Sequence, residues 1–312
     1  MKSISAVNPN ILDPKHALFE QLKFNPPVWW NILKQDPELY VEIRKYNVVE
    51  VYYQGGTLAK LVFDKKTNQI KPTAHPKYLG HCDVNDKRYY KNNNTHTPIY
   101  QDCSKCLAGK IEDMKQNIRD CYTEKHNNIE NVSEKKIQGL LIINNRDKYL
   151  DSEFSHRLYE GERTEVRIDL VKIENNQIVF EELKKINDYR LHTTKDSGPE
   201  ILQQMSEYDA FISKNQIALR NYYMNLIDIK KSLELPLPNI NDISKLELNP
   251  KPVLVIADNY DYVKMNPQRA ERIEAIKQTL KKDSVNFCFL DKDEIEKLLG
   301  LRQKPPLLIL LK

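Results

Sequence analysis

Asp169, Glu182 and Lys184 are the residues whose types and spacing could do chemistry together. Asp169 stands in Arg167-Ile168-Asp169-Leu170, and the other two in Phe180-Glu181-Glu182-Leu183-Lys184. Side chains two apart on a strand share a face, so Glu182 and Lys184 point the same way. Pairing the two runs through a short hairpin can bring Asp169 beside them. Adjacent carboxylates are costly unless a cation neutralises them, and oxygen ligands with room left for water and phosphate suit Mg²⁺. A neighbouring ammonium can orient or help activate a water and stabilise charge building on a phosphate.

The elements that must position this set are legible around it. Two strands are predicted at Glu165–Ile173 and Ile178–Ile186, joined by the polar hairpin Glu174-Asn175-Asn176-Gln177. A helical pattern follows from Glu200 to about Leu233, with Pro199 where a first turn accepts it. Gln204 and Tyr208, four apart, fall on one face of that helix. Ile137 to Ile143 reads as a nearly continuous apolar strand, Val253 to Ala257 as a buried strand, Pro267 to Lys282 as an amphipathic helix and Val285 to Leu290 as a last strand. This order predicts an α/β sheet with helices packed on it. An acid-x-Lys triplet by itself says little in a chain with 29% charged residues: Glu134-Lys135-Lys136 and Asp228-Ile229-Lys230 are further examples. The weight comes from the preceding acid, the hairpin and the helix beyond.

Asp169, then Glu182-Leu183-Lys184, then Gln204 and Tyr208, resembles the ordered motif set of RecB-type nucleases in the PD-(D/E)xK, or restriction-endonuclease-like, superfamily. The resemblance covers roughly 137–290. It implies a restriction-endonuclease-like mixed sheet flanked by helices, and Mg²⁺- or Mn²⁺-dependent phosphodiester hydrolysis; the expected substrate is DNA, in DNA processing or defence against foreign DNA, with RNA as the alternative. By position, Asp169 and Glu182 would hold metal, Lys184 would serve the nucleophilic water, and Gln204 and Tyr208 would brace the site or touch the substrate backbone. Val166 stands where such sequences often have Gly. The family's additional upstream acid or His is sought in Asp151-Ser152-Glu153-Phe154-Ser155-His156, with Glu153 preferred and Asp151 or His156 as alternatives. Arg190, close behind Asp188, is read either as a phosphate contact or as half of a salt bridge. The resemblance also allows a homodimer. The other class of function is a non-catalytic nucleic-acid-binding or assembly protein with a nuclease-like fold, against which the intact acids and lysine argue.

Residues 1–130 read as a smaller, mainly-β N-terminal region, a targeting or regulatory module, and 131–312 as the nuclease-like domain; polar Asn127–Glu134 marks the boundary. A meander is predicted over 39–78, with turns at Gln54-Gly55-Gly56 and Asp64–Asn68, then a polar loop over 84–97 and helix over 105–126. Trp29, Trp30, Tyr40, Tyr46, Tyr52 and Tyr53 are read as the core of this small sheet rather than as a stacking surface for bases. Cys82, Cys103, Cys106 and Cys121 could hold structural Zn²⁺ or an iron–sulfur cluster, but with one CxxC knuckle they read as free thiols. Cys288, inside a strand, is expected in the core. The tail Leu307–Leu311 is expected to pack on its own domain. A net charge of +4 permits nucleic-acid binding without demanding it. No run approaches a membrane span, and the first ten residues lack a basic-then-apolar signal, so a cytoplasmic protein without membrane contact is expected.

Overall fold

The computed structural model describes residues 3–80, 100–122, 132–193, 198–258 and 267–300. It is a mixed α/β structure with two sheets. Two short helices, α1 (Ala17–Phe24) and α2 (Val28–Gln35), lead into an antiparallel meander of β1 (Leu39–Arg44), β2 (Val48–Tyr53), β3 (Gly56–Asp64), β4 (Gln69–Ala74) and the two-residue β5 (Gln101–Asp102). Helices α3 (Ser104–Gly109) and α4 (Ile111–Tyr122) follow. The polar loop expected over 84–97, Cys82, the proposed boundary up to residue 131 and the apolar tail lie outside the described residues.

The second sheet is preceded by α5 (Glu134–Asn144), which overturns the strand expected at Ile137–Ile143. The physical reason is burial on two sides. Ile137, Leu141 and Ile142 form one apolar cluster with Tyr40 and Tyr52 of the first sheet and with Leu170, Leu183 and Val255 of the second. A helix buried between two sheets is apolar around much of its circumference, and periodicity then cannot tell it from a buried strand. Strands β6 (Tyr149–Arg157), β7 (Glu165–Glu174) and β8 (Gln177–Lys185) are antiparallel neighbours. The long helix α6 (Glu200–Ser232) comes next, then β9 (Glu247–Leu248), β10 (Val253–Ala257), α7 (Pro267–Lys282), β11 (Asn286–Leu290) and α8 (Lys292–Leu298). The sheet runs β11-β10-β8-β7-β6, parallel from β8 to β11, with β9 beside the start of β8. β8 is central, and its seven inner residues are buried on both faces. No helix among the described residues is long and apolar enough to cross a membrane.

Local chemistry explains the hairpin and the long helix. Asn175 and Asn176 both take positive φ, 50° and 61°, the conformation a two-residue hairpin turn requires and Asn tolerates. α6 kinks at Asn215, where φ is −109°. There the buried Asn215 side chain accepts from the Val7 amide at 2.9 Å and donates to the Ser5 carbonyl at 3.1 Å, tying the N-terminal segment to the helix.

Two contacts weld the sheets. A Cβ at Gly139 in α5 would lie 2.6 Å from the Gly55 nitrogen in the β2–β3 turn, and one at Gly55 (φ +83°) would lie 2.2 Å from the Lys135 carbonyl oxygen. Both positions therefore need glycine. Further along β1 is a buried ionic network. Lys230 of α6 donates to Glu42 of β1 at 2.9 Å, Arg44 meets Asp151 of β6 at 3.0 Å, and Ser152 bridges to Glu42 at 3.2 Å. Asp151 is committed to this network and to the Tyr223 hydroxyl at 3.3 Å.

Trp30, Tyr40, Tyr52 and Tyr53 are buried as expected, although the tryptophans come from α2 rather than the sheet; Tyr46 is 70% exposed. Cys288 is not in the core. It lies exposed on β11, which among the described residues is the edge strand and pairs on one side with β10.

Gly139→Ala is expected to destabilise the chain by about 1–3 kcal/mol, because the methyl group meets backbone that cannot swing away. Thermal unfolding reads the loss. Lys230→Met strands the buried Glu42 carboxylate and is expected to cost about 3–5 kcal/mol, part of which Glu42→Gln in the same chain restores. Urea titration of both single variants and the double variant checks this.

Candidate metal-binding and hydrolytic site

The acids and the lysine come together where the β7–β8 ladder ends. Leu170 still pairs with Glu181, but one step further the Asp169 carboxylate accepts the Leu183 amide at 2.9 Å through Oδ2. The side chain thus takes a backbone donor that the ladder leaves over. On the same side of β8, the Lys184 ammonium contacts Glu182 Oε1, donates to the Leu183 carbonyl at 2.9 Å and lies 3.8 Å from Asp169 Oδ2. Glu182 and Lys184 are buried, whereas the Asp169 side chain keeps 26% of its surface open to solvent. The cluster is therefore reached from the Asp169 side.

α6 supplies the support its spacing predicts. Gln204 Nε2 lies 2.7 Å from Glu182 Oε1 and 2.7 Å from the Tyr208 hydroxyl, which itself donates to the Arg167 carbonyl. Glu182 Oε1 is thus held by Lys184 and Gln204, while Oε2 is buried with no hydrogen-bond partner. An orphaned carboxylate oxygen at this depth costs free energy unless a proton or a cation meets it.

The electrostatics follow from that crowding. Burial, and then the charge of Asp169, push the Glu182 carboxyl up to about 8. Burial raises Asp169 as well. Burial works against the Lys184 ammonium, but Glu182, Asp169 and Glu134 outweigh it and hold its pKa above the ordinary lysine range. One ammonium among several carboxylates leaves an excess of negative charge, and a proton held on Glu182 is how the cluster relieves it in the absence of another cation.

Glu134 is the acid that sequence reasoning passed over. It opens α5, after the Ser133 N-cap, and its Oε2 accepts the Lys185 amide at 3.3 Å. Burial raises its pKa and the Lys184 ammonium opposes that rise, which puts it within the field of the site. The signal that could have found it is the Ser133 cap closing a polar stretch; with the following apolar run taken as a strand, the residue had no helix to open. Gln138, one turn on, donates to the Asp169 carbonyl at 2.6 Å and fixes α5 against β7.

The residues proposed from the Asp151–His156 segment separate. Asp151 points into the ionic network, and the His156 ring contacts the Ala6 carbonyl at 3.1 Å. Glu153 has φ +49°, sits between Ser152 and Phe154, which pair with Leu170 and Ile168, and so lies across from Asp169. It forms a 3.5 Å ion pair with Lys135, and its charge contributes to the raised pKa of Asp169. Arg190 pairs with Asp188, Nε to Oδ1 at 2.9 Å and Nη2 to Oδ2 at 2.5 Å.

The fit to a divalent cation is favourable in its donor set. Asp169 and Glu182, with Glu153 and Glu134 at the margins, are hard oxygen donors of the kind Mg²⁺ and Mn²⁺ take, and Glu182 Oε2 has no partner to give up. No group of three or more His, Cys, Asp or Glu placed to hold a metal ion is found among the described residues, so the donor set rests on Asp169 and Glu182. Of the cysteines named for Zn²⁺ or iron–sulfur, Cys103 is buried, Cys106 half-buried and Cys121 exposed, and burial raises the Cys103 thiol to about 12.

Comparison with protein-family models, with curated proteins and with solved structures gives no significant match.

Because the folded pKa of Glu182 is raised above its ordinary 4.5, its contribution to stability is fully present below that value and is lost as pH rises towards about 8. Without divalent metal, the melting temperature is expected to fall across that window, and Glu182→Gln to flatten the dependence. Melting curves in EDTA at a series of pH values check it.

Proposed function

We propose that the chain is a divalent-metal-dependent nuclease of the PD-(D/E)xK superfamily, with a restriction-endonuclease-like second sheet and RecB-type motif order, acting on DNA in the cytoplasm. The observation that carries this reading is the convergence of Asp169, Glu182 and Lys184 at the end of the β7–β8 hairpin, with Gln204 holding Glu182 from α6. The element order α5, three antiparallel strands, α6 and then parallel β10 supports the same assignment.

Mg²⁺ or Mn²⁺, when bound by Asp169 and Glu182, supplies charge neutralisation and a more acidic water. The chain's own groups do the rest. Asp169, open to solvent, faces the substrate side. Lys184 places an ammonium beside both acids, where it can hold the attacking water or a non-bridging phosphate oxygen as negative charge develops. Gln204 fixes the orientation of the Glu182 carboxylate, and Tyr208 fixes α6 to the Arg167 carbonyl, so the donors keep their geometry. Glu134 and Gln138 bring the start of α5 to the same place.

Incubating the purified protein with plasmid, linear and single-stranded DNA and with RNA, in Mg²⁺, Mn²⁺ or EDTA, tests the proposal. Cleavage that requires metal, and that drops by about 10²–10³-fold in Lys184→Ala and in the less buried Asp169→Asn, is expected. No metal-dependent cleavage of any substrate, or cleavage undiminished in both variants, overturns it.

A further inference from the structure

Beyond the acid cluster the chain runs through Asp188 and a 3-10 turn at Tyr189–Leu191 to the rim of a cleft of about 460 Å³. One wall is Leu191, His192 and Thr193. The other is one face of α7, where Arg272, Ala275, Ile276 and Thr279 follow at three- and four-residue steps. Leu191 and Ile276 belong to the core beneath and make the cleft floor rigid. Ala275 is small and leaves the space open. The polar groups left facing it are cationic or neutral: the Arg272 guanidinium, the His192 imidazole and two threonine hydroxyls. Arg272 has no carboxylate partner among the described residues.

We propose that this cleft is a phosphate subsite for the nucleic-acid strand whose scissile bond lies at Asp169 and Glu182; the inference rests on the nuclease reading above. Arg272 grips non-bridging oxygens of one phosphate, and His192 donates to the same group. Arg190 stands in the 3-10 turn that joins the end of β8 to the cleft wall. Its Nε and Nη2 are taken by Asp188, which leaves Nη1 as the donor that pairing does not use. The hydrogen bond that Arg190 donates to Asp188 is the main cause of its raised pKa, and the charges of Glu134 and Glu182 add to it. Continuity on the other side is given by His192. His192 lines the cleft with Arg272 and caps the turn that Asp188 opens; burial lowers its pKa, Arg272 lowers it further and Asp188 opposes them. A neutral imidazole there donates a hydrogen bond, and a planar guanidinium binds phosphate through two parallel ones. The arrangement therefore recognises backbone, not base sequence, and positions the strand.

Fluorescence anisotropy with a labelled oligonucleotide, single-stranded and as its duplex, tests the subsite in the uncleaving Asp169→Asn chain. Arg272→Ala is expected to weaken binding by about tenfold and to reduce the slope of log K against log salt by about one. His192→Ala should weaken it less and leave the slope unchanged, since a neutral group releases no counterion. Arg272→Lys should restore the slope but only part of the affinity. Lys245→Ala, near the opposite end of β8, controls for general charge and should change nothing. In the cleaving chain, Arg272→Ala should raise KM and leave kcat nearly unaltered. A parent that binds and cleaves, with Arg272→Ala and His192→Ala matching it in affinity, slope and KM, overturns the subsite alone. A parent that neither binds nor cleaves overturns the nuclease reading and the subsite with it.

Discussion

The buried ammonium of Lys184 is the interaction on which the geometry of the site depends. Asp169 comes from β7, Glu182 from β8 and Glu134 from the start of α5, and each is pushed towards its protonated form by burial. Without a cation among them, carboxylates from three elements would repel one another and draw in water. Lys184 lies in contact with Glu182 and 3.8 Å from Asp169, so it opposes the separation of both strand ends at once. The ammonium does not satisfy the whole cluster, because Glu182 Oε2 is left over. A proton on Glu182 relieves what is left over, and under the nuclease reading a divalent cation would take that proton's place.

The helix carrying Glu134 is held from outside the second sheet. α5 lies between the Tyr40–Tyr52 face of the first sheet and the Leu170–Leu183 face of the second, with Gly55 and Gly139 letting backbones touch. Tyr40 and Tyr52 stack with centroids 5.1 Å apart and planes 9° from parallel, giving α5 a flat surface to rest on. The buried pairs Glu42–Lys230 and Arg44–Asp151 then fix the first sheet to α6 and β6. Whatever else the N-terminal region does, it forms part of the scaffold that aims Glu134 and Gln138 at Asp169.

The parts of this that were legible in the sequence are those governed by local rules. The β7–β8 hairpin was readable because two asparagines between apolar runs admit one kind of turn. The link from Gln204 to Tyr208 was readable because residues four apart on a helix must be neighbours. The meander of the first sheet followed from its turn residues. What failed depended on tertiary surroundings. Ile137–Ile143 looks like a strand because both sides of α5 are covered, and that error hid Glu134. Cys288 was assigned to the core because the sequence does not say which strand is the edge. The separation of Asp151 from Glu153 could not be read either: it depends on Arg44, more than a hundred residues away, and on the positive φ of Glu153.

The energetic character of the cluster bears on the choice between catalysis and binding alone. Replacing a buried ion pair with apolar residues of similar volume is often neutral or stabilising by about 1–4 kcal/mol. A protein that needed only to bind nucleic acid could fill the space between β7, β8 and α6 with leucine and valine, as it does one layer away around Leu170 and Leu183. Negative charge there would also repel the phosphates such a protein has to hold. The chain instead buries Glu182 and Lys184 and spends Gln204 and Tyr208 on fixing them. Acids beside a phosphate path would be useful with a divalent cation between the two, and under the proposed nuclease reading Asp169 and Glu182 would hold that cation. The stability given up at this point is physical support for hydrolysis over binding alone.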